Sequence, residues 1–158
     1  MQVLYPPTRL SPRRHDTPWV FLAGSIEQGA ASLWQDEAVR ALQDLPGTIL
    51  NPRRPDWDAS WAQDPTLGTP FYHQVRWELD GLDHADRILM HFDPSTKSPI
   101  TLLELGLVAQ SERLIVSCAP SFWRYGNVRV VCDLYDVECF PTLPEALQAV
   151  RSQLWKLV

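Results

Sequence analysis

Short apolar runs alternate along the chain with longer stretches in which apolar residues recur every three or four positions. The runs predict buried strands and the periodic stretches predict helices. Residues 1–17 show no period and predict an irregular leader, and residues 51–70 predict a long loop of the kind that often binds ligands. The predicted strands are 19–23, 48–50, 87–92, 114–118 and 137–140, and the predicted helices are 30–45, 71–85, 100–111, 127–135 and 143–154.

The alternation of almost entirely apolar strands with helices predicts a parallel sheet that is covered on both faces. We therefore expect a single α/β domain over residues 1–158, a three-layer doubly wound five-stranded parallel sheet in the flavodoxin-like order 2-1-3-4-5. Ligands of such sheets bind where the strand order reverses, between the first and third strands. The loops at that point are residues 24–29 and 93–98.

Glu104 is the most informative single residue, because it lies among leucines in a predicted helix directly after the second of those loops. A buried carboxylate costs solvation free energy, so a partner compensates it or the protein uses it. An ionised carboxylate in a dry crevice suits a nucleophile that attacks a carbon developing positive charge. The alternative is a surface carboxylate that only looks buried beside its apolar neighbours.

The preceding predicted helix carries three more acids, Glu78, Asp80 and Asp83. Two carboxylates in different environments can divide the roles of nucleophile and acid. Asp80 cannot share a helix face with Glu78, because the two are only two residues apart. A solvated acidic face is the alternative for Asp80 and Asp83.

The predicted loop 51–70 begins with Asn51 and contains Trp57. Its aromatic residues either stack on a planar ligand or pack the loop onto the domain, and Arg53 and Arg54 are expected to pair with acids. Gly24 and Gly29 do not form a phosphate-binding loop, since no Lys follows them. The four histidines have no ligand spacing, so no metal site is expected.

The overall charge and composition exclude several classes of partner. The formal net charge is −5 and no basic run could follow a phosphate backbone, so polymeric nucleic acid is not an expected partner. No apolar run reaches the length of a membrane span, so no membrane partner is expected either. Three cysteines without metal-ligand spacing indicate buried thiols in a reducing, cytoplasmic setting.

Four segments together resemble the nucleoside 2-deoxyribosyltransferase family, and the resemblance runs from about residue 19 to residue 145. The ordered set of segments carries the resemblance, and no single one is specific. The segments are Phe21-Leu22-Ala23-Gly24-Ser25, Glu78-Leu79-Asp80-Gly81-Leu82, Leu103-Glu104-Leu105-Gly106 and Gly126-Asn127-Val128-Arg129.

This resemblance implies double displacement at the anomeric carbon of a 2'-deoxynucleoside, with small-molecule deoxynucleosides and free nucleobases as partners. Glu104 matches the position of the nucleophile that forms a covalent deoxyribosyl-enzyme. Glu78 stands where the family more often has an Asp that handles the proton of the leaving base. No metal or organic cofactor is expected for this chemistry.

The resemblance and the position of the crevice also suggest which residues bind the substrate. Where the transferases have an Asp that holds the sugar hydroxyl, this chain has Ser98, and Asp93 is expected to supply that contact. Ser98 is similar to the phosphate-binding Ser of the 2'-deoxynucleoside 5'-monophosphate N-glycosidases, which makes a hydrolase the alternative. Glu27 disfavours a phosphate nearby. The expected substrate-binding residues are Gly24, Ser25, Asn51, Trp57, Asp93, Ser98 and Asn127.

The segment around Asn127 matches residues that reach a neighbouring subunit's site in the family. The resemblance therefore implies a homo-oligomer. A nucleoside or nucleotide sensor that keeps the crevice without catalysis is a third hypothesis.

Overall fold

The computed structural model describes residues 1–10, 17–26, 31–54, 56, 58 and 60–158. Within these residues the chain forms six strands and five α-helices, with a short 3₁₀ turn at Ala109–Ser111 after the third helix. In chain order these are β1 (Gln2–Leu4), β2 (Trp19–Gly24), α1 (Trp34–Leu42), β3 (Thr48–Leu50), α2 (Pro70–His84), β4 (Arg87–Phe92), α3 (Pro99–Val108), β5 (Leu114–Cys118), α4 (Tyr125–Leu134), β6 (Glu138–Phe140) and α5 (Leu143–Trp155).

All strand pairs are parallel, and the sheet order is β1-β3-β2-β4-β5-β6. The five predicted strands therefore occur in the predicted flavodoxin-like order. The structure adds β1 at the edge, within the segment that was expected to be irregular. This strand is only three residues long, too short for a period to appear, and its pairing with β3 holds it: the Asn51 amide donates to the Leu4 carbonyl at 2.9 Å.

Helices cover both faces of the sheet because alternate residues along each strand point to opposite sides. Val20 and Leu22 of β2 pack in a core with α1 and α5. Phe21 and Ala23 of the same strand pack in a second core with α2, α3 and α4. The predicted three-layer arrangement is thus confirmed. No helix in the described part of the chain is both long and apolar enough to span a bilayer.

Helix α2 lies unusually close to the sheet. Pro70 occupies its first turn, and the Thr69 side chain caps it by accepting from the Tyr72 amide at 3.1 Å. A Cβ at Gly81 would lie 2.6 Å from the Phe21 ring, so glycine at this position allows the close approach. This close packing at Gly81 sets the distance between the sheet and Glu78, which lies three residues earlier in the helix.

Candidate active site

Three loops meet at the carboxyl ends of β2, β3 and β4, where the strand order reverses. The Ser25 amide, after β2, donates to the His91 carbonyl of β4 at 3.0 Å. The Asp93 amide, after β4, donates to Ser25 Oγ at 2.9 Å. These bonds join the two loops that the sequence placed at the crevice, as expected for a doubly wound sheet.

Gly24 is required by this junction. Its φ is +145°, and a Cβ there would lie only 2.4 Å from the His91 carbonyl oxygen. A larger residue would push the β2 loop away from β4. The structure therefore places Gly24 in the wall of the crevice, where it allows close backbone packing, and its predicted contact with substrate stays a prediction.

Three buried hydroxyls form a cluster at the amino end of α3. Ser25 Oγ lies 2.5 Å from Ser98 Oγ, and Thr96 Oγ1 lies 2.6 Å from Ser98 Oγ and 3.1 Å from Ser25 Oγ. Ser98 has a left-handed backbone with a φ of +48°, which is uncommon for a residue other than glycine and is often found at functional sites. The sequence singled out Ser25 and Ser98 and missed Thr96, although it lies in the same polar loop.

Asp93 is 6% exposed, and both of its carboxylate oxygens accept hydrogen bonds. Oδ2 accepts from the amide and hydroxyl of Ser32 at 3.0 and 2.7 Å, and Oδ1 from those of Ser95 at 2.9 and 2.6 Å. Burial alone would raise the pKa of Asp93, but the bonds from Ser95 and Ser32 outweigh it and hold the pKa well below its usual range. Asp93 thus braces two loops, and its predicted contact with a sugar hydroxyl stays a prediction.

Asn51 is 2% exposed and shapes the start of the loop after β3. Its Oδ1 accepts from the Arg53 amide at 3.0 Å. The Arg53 guanidinium then reaches back to the β2–α1 connection, donating to the carbonyls of Ser32 at 2.6 Å and Ala31 at 3.1 Å. Arg53 was expected to pair with an acid; in these contacts it binds backbone carbonyls, and its guanidinium ties the β3 loop to the crevice.

Glu104 is buried, with 8% of its surface exposed, so the alternative of a surface carboxylate is wrong. It lies in the second turn of α3 on the face shared with Thr101 and Val108, whereas Ile100 points to solvent with 60% exposure. Burial and the negative charge of Glu78 raise the pKa of Glu104 to about 8. Among the described residues no hydrogen bond offsets these two effects.

Glu78 is half-buried on α2, and its Oε1 accepts from Gln74 Nε2 at 2.9 Å. Burial raises the pKa of Glu78, and the Gln74 hydrogen bond opposes part of that rise. The other two acids of this helix differ. Asp80 pairs with Arg76 at 2.9 Å on the outer face, and Asp83 is exposed, so the solvated alternative holds for both.

Glu78 and Glu104 thus form a pair of carboxyl groups whose pKa values are raised by burial and, for Glu104, by the charge of its neighbour. Two such groups release their protons in two steps that belong to the pair. Because the charge of one group raises the pKa of the other, the pair favours a state with one proton, which offers one carboxylate and one carboxylic acid. This combination suits displacement at a carbon beside a leaving group that needs a proton.

Trp34 contacts a loop of the crevice, although the sequence showed it only as a position in the predicted helix 30–45. Its Nε1 donates to the Ser25 carbonyl at 2.9 Å, and its ring lies 5.2 Å from the His91 ring. It thereby supports the β2 loop from the face opposite Glu104. Only its place in the helical period was visible in the sequence, and a bond to a loop backbone leaves no pattern.

For two further predicted binding residues, Trp57 and Asn127, the predicted contact with substrate stays a prediction. Trp57 lies outside the described residues, as does Glu27. Asn127 is exposed in the first turn of α4. Trp61 stacks at 5.1 Å with the guanidinium of Arg54 in the same predicted loop, and this contact does not decide between the two roles expected for the loop aromatics. No group of three metal-binding side chains occurs in the part of the chain that the structure describes.

Comparison with known proteins agrees with this geometry. Residues 17–122, more than half of the chain, match the family model described as nucleoside 2-deoxyribosyltransferase like. The match begins just before β2 and ends after β5, so it includes every loop of the crevice and both carboxyl groups. No curated protein matches the chain significantly.

Proposed function

Because the chain belongs to the nucleoside 2-deoxyribosyltransferase-like family, we propose that it transfers 2-deoxyribose between nucleobases through a covalent intermediate on Glu104. The observation that carries the proposal is the electrostatic pairing of Glu104 with Glu78 in a buried crevice. Glu104 reacts as the carboxylate and Glu78 as the acid, so the reaction requires the single proton of the pair to lie on Glu78, whereas the raised pKa of Glu104 favours the proton on Glu104 in the free protein. The substrates are small deoxynucleosides and free nucleobases.

In the first displacement, a Glu104 oxygen forms a bond to the anomeric carbon while the bond from that carbon to the base nitrogen breaks. The electron pair of the broken bond stays on the base, which takes the proton of Glu78. In the second displacement, another base attacks the anomeric carbon from the face that the first base left. Its ring proton passes to Glu78, the ester bond breaks and Glu104 becomes a carboxylate again, so the configuration is retained.

The chemistry of the sugar explains why two carboxyl groups suffice. A 2-deoxyribose lacks the electron-withdrawing 2'-hydroxyl, so positive charge develops readily at the anomeric carbon. A carboxylate without competing hydrogen bonds, as Glu104 is among the described residues, stabilises that charge and then bonds to the carbon. The proposed steps use these side chains without a metal or an organic cofactor.

A second candidate function is hydrolysis of 2'-deoxynucleoside 5'-monophosphates, with water as the second nucleophile. The hydroxyl cluster of Ser25, Thr96 and Ser98 favours it, because it lies at the amino end of α3 where no side chain caps the helix. Hydroxyl donors and free helix amides are suited to an anion such as phosphate. The expected opposing charge, Glu27, lies outside the described residues.

We also propose that the chain forms a homo-oligomer through the outer faces of α3 and α4. Large apolar side chains on these two helices are 60–70% exposed, and the helices lie on the same side of the sheet. Asn127 begins the exposed face of α4, so a second copy seated there would meet it. The exposed apolar residues are Ile100, Leu103, Leu107, Val130 and Leu134. Light scattering of Leu103→Asp should report a smaller particle than that of the natural chain.

The three cysteines are all free thiols in the described structure. Free thiols persist in reducing compartments. We therefore propose a cytoplasmic location for the protein.

Chromatography of reaction mixtures tests the proposed activity. Purified protein is incubated with 2'-deoxyinosine or thymidine, with and without free adenine, beside Glu104→Ala. A new deoxyadenosine peak that requires Glu104 supports the transferase. Free base without that peak, and faster cleavage of deoxynucleoside monophosphates, supports the hydrolase. Tight nucleoside binding without any product would contradict both and point to a sensor.

A further inference from the structure

Gln74 connects the proposed acid to the long loop. It lies one helical turn before Glu78 on α2 and is 6% exposed. Its Nε2 donates to Glu78 Oε1 at 2.9 Å and also to the Pro52 carbonyl at 3.0 Å, at the start of the loop after β3. A single amide group therefore holds both the carboxyl group and the loop.

The orientation of this amide follows from its partners. The Pro52 carbonyl can only accept a hydrogen bond, so the NH₂ end of Gln74 must face it. The other end, Oε1, is buried and has no hydrogen-bond partner. A buried polar atom without a partner is costly, and an apolar side chain of similar length would avoid that cost. The site thus keeps a glutamine despite its cost to stability.

We propose that Gln74 is a positioning residue that sets the orientation of the Glu78 carboxyl group and couples it to Pro52. The inference rests on the proposed function, in which Glu78 exchanges a proton with the base. An acid on a flexible side chain must be held within hydrogen-bond distance of the base nitrogen to transfer its proton efficiently. Because the same amide holds Pro52, a shift of the loop would move the acid.

Glu78 interacts with two polar groups, Gln74 and Glu104. The Gln74 amide donates to the carboxylate form and lowers the pKa of Glu78 against the effect of burial. The charge of Glu78 in turn raises the pKa of Glu104 on α3. Loss of the Gln74 donor would leave the effect of burial unopposed, so Glu78 would bind its proton more tightly.

The test compares Gln74→Met in the natural chain and in Glu78→Gln. Methionine keeps the length and volume of the side chain and removes both polar atoms. If Gln74 acts through Glu78, kcat for base exchange falls about tenfold in the natural chain. The same substitution lowers the residual kcat of Glu78→Gln by less than about twofold. The alkaline limb of the pH–rate profile moves upward by roughly one pH unit in Gln74→Met.

Gln35→Met is the matched control. Gln35 is 1% exposed and, like Gln74, has one buried amide atom without a partner, but its Oε1 accepts from Arg53 rather than contacting a catalytic carboxyl group. Its substitution should leave the alkaline limb in place. If Gln74→Met lowers kcat by the same factor in the natural chain and in Glu78→Gln, and leaves the pH–rate profile unchanged, the inference is overturned.

A readout independent of turnover separates this inference from the proposed function. The side-chain carboxyl carbon of Glu78 is followed by ¹³C NMR titration in the natural chain and in Gln74→Met. A higher Glu78 pKa in the variant supports the positioning role even if no deoxyribosyl transfer is found, and an unchanged pKa contradicts it. If Gln74→Met does not fold, Gln74→Asn keeps a polar amide but, being one carbon shorter, withdraws the donor from Glu78 and should also raise the Glu78 pKa.

Discussion

Asp93 and Glu104 are buried carboxyl groups on one loop and the helix that follows it, yet their environments are opposite. Asp93 receives donors from Ser32 and Ser95 on both oxygens, and its pKa lies well below its usual range. Glu104 faces another acid, and its pKa is raised to about 8. The exposed fraction of the two residues is similar, so the hydrogen-bond donors to Asp93 and the charge of Glu78 beside Glu104 decide which carboxyl group is stably ionised.

This difference in hydrogen bonding distinguishes a carboxyl group that holds two loops together from the one that we propose to react. Four hydrogen bonds leave Asp93 little capacity to accept a bond from a substrate or to form a covalent bond. Glu104 has its oxygens available to a substrate, at the cost of an unfavourable ionised state. The carboxyl group that we propose as the nucleophile and a structural one thus stand eleven positions apart in one segment.

Replacing Glu104 should have the largest effect of the changes considered, and that effect is on activity. Glu104→Gln keeps the shape of the side chain but removes the nucleophilic oxygen, so the rate of base exchange should fall by at least about 10³-fold. The measurement is the initial rate of deoxyadenosine formation from thymidine and adenine. Glu37→Gln, an exposed carboxylate on α1, is the control and should keep its rate. A loss of less than tenfold in Glu104→Gln would remove Glu104 from the covalent step.

Asp93→Asn should have the largest effect on stability. An asparagine has only one acceptor oxygen, so its NH₂ group would face the backbone amide of Ser32 or Ser95. We expect a loss of about 2 kcal/mol in the free energy of unfolding near pH 7. Because the pKa of Asp93 is lowered by folding, its stabilisation is complete above the unfolded value of about 3.9 and is lost as the pH falls through the folded value.

Denaturant titrations of the natural chain and Asp93→Asn at a series of pH values between 3 and 8 would measure their free energies of unfolding. The titrations must resolve a difference of about 1 kcal/mol between the two chains. The difference between the chains should be constant above about pH 5 and shrink in more acidic buffer. A difference that is the same at every pH would mean that the charge of Asp93 does not stabilise the loops.

Glu104→Gln should change stability in the opposite direction. The folded pKa of Glu104, about 8, lies above its ordinary value of 4.5, so the protonated side chain is favoured in the folded state. Its contribution is complete below the unfolded pKa and is lost as the pH rises through about 8. Glutamine stays neutral, so the variant should be more stable than the natural chain at pH 9 by at least about 1 kcal/mol, or about 2–4 °C in Tm. A difference in melting temperature between Glu104→Gln and the natural chain that is the same at pH 9 as at pH 5 would contradict the raised pKa of Glu104.

The contrast between these residues was only half visible in the sequence. Glu104 stood out because a carboxylate among leucines breaks a helical pattern. The predicted strand order also placed the loop that ends at Ser98 beside Ser25, although the two serines are 73 residues apart in the chain. The donors from Ser32 to Asp93 were not visible, because Ser32 is 61 residues away and its hydroxyl leaves no periodic signal. Gln74 escaped notice for the same reason, since a glutamine on a helix is ordinary until its contact with Pro52 is known.

A smaller effect is expected from the partner of Glu104. Glu78→Gln removes the negative charge that raises the pKa of Glu104, so that pKa should fall by roughly one unit. A ¹³C NMR titration of the Glu104 carboxyl carbon measures the shift directly. The activity of the variant should fall as well, because the leaving base loses its acid. An unchanged pKa would show that burial alone sets the protonation of Glu104.

Asp80→Asn should have the smallest effect and thereby complete the comparison. Asp80 lies two residues from Glu78 on the same helix, but it points outward and pairs with Arg76 on a half-exposed surface. Such a pair contributes only about 0.3–0.5 kcal/mol, since water screens both charges. Exchange activity should therefore stay within about twofold of the natural chain, and Tm within about 2 °C. A large loss of activity in Asp80→Asn would identify Asp80 as the acid, because the small change in stability expected for this variant could not account for it.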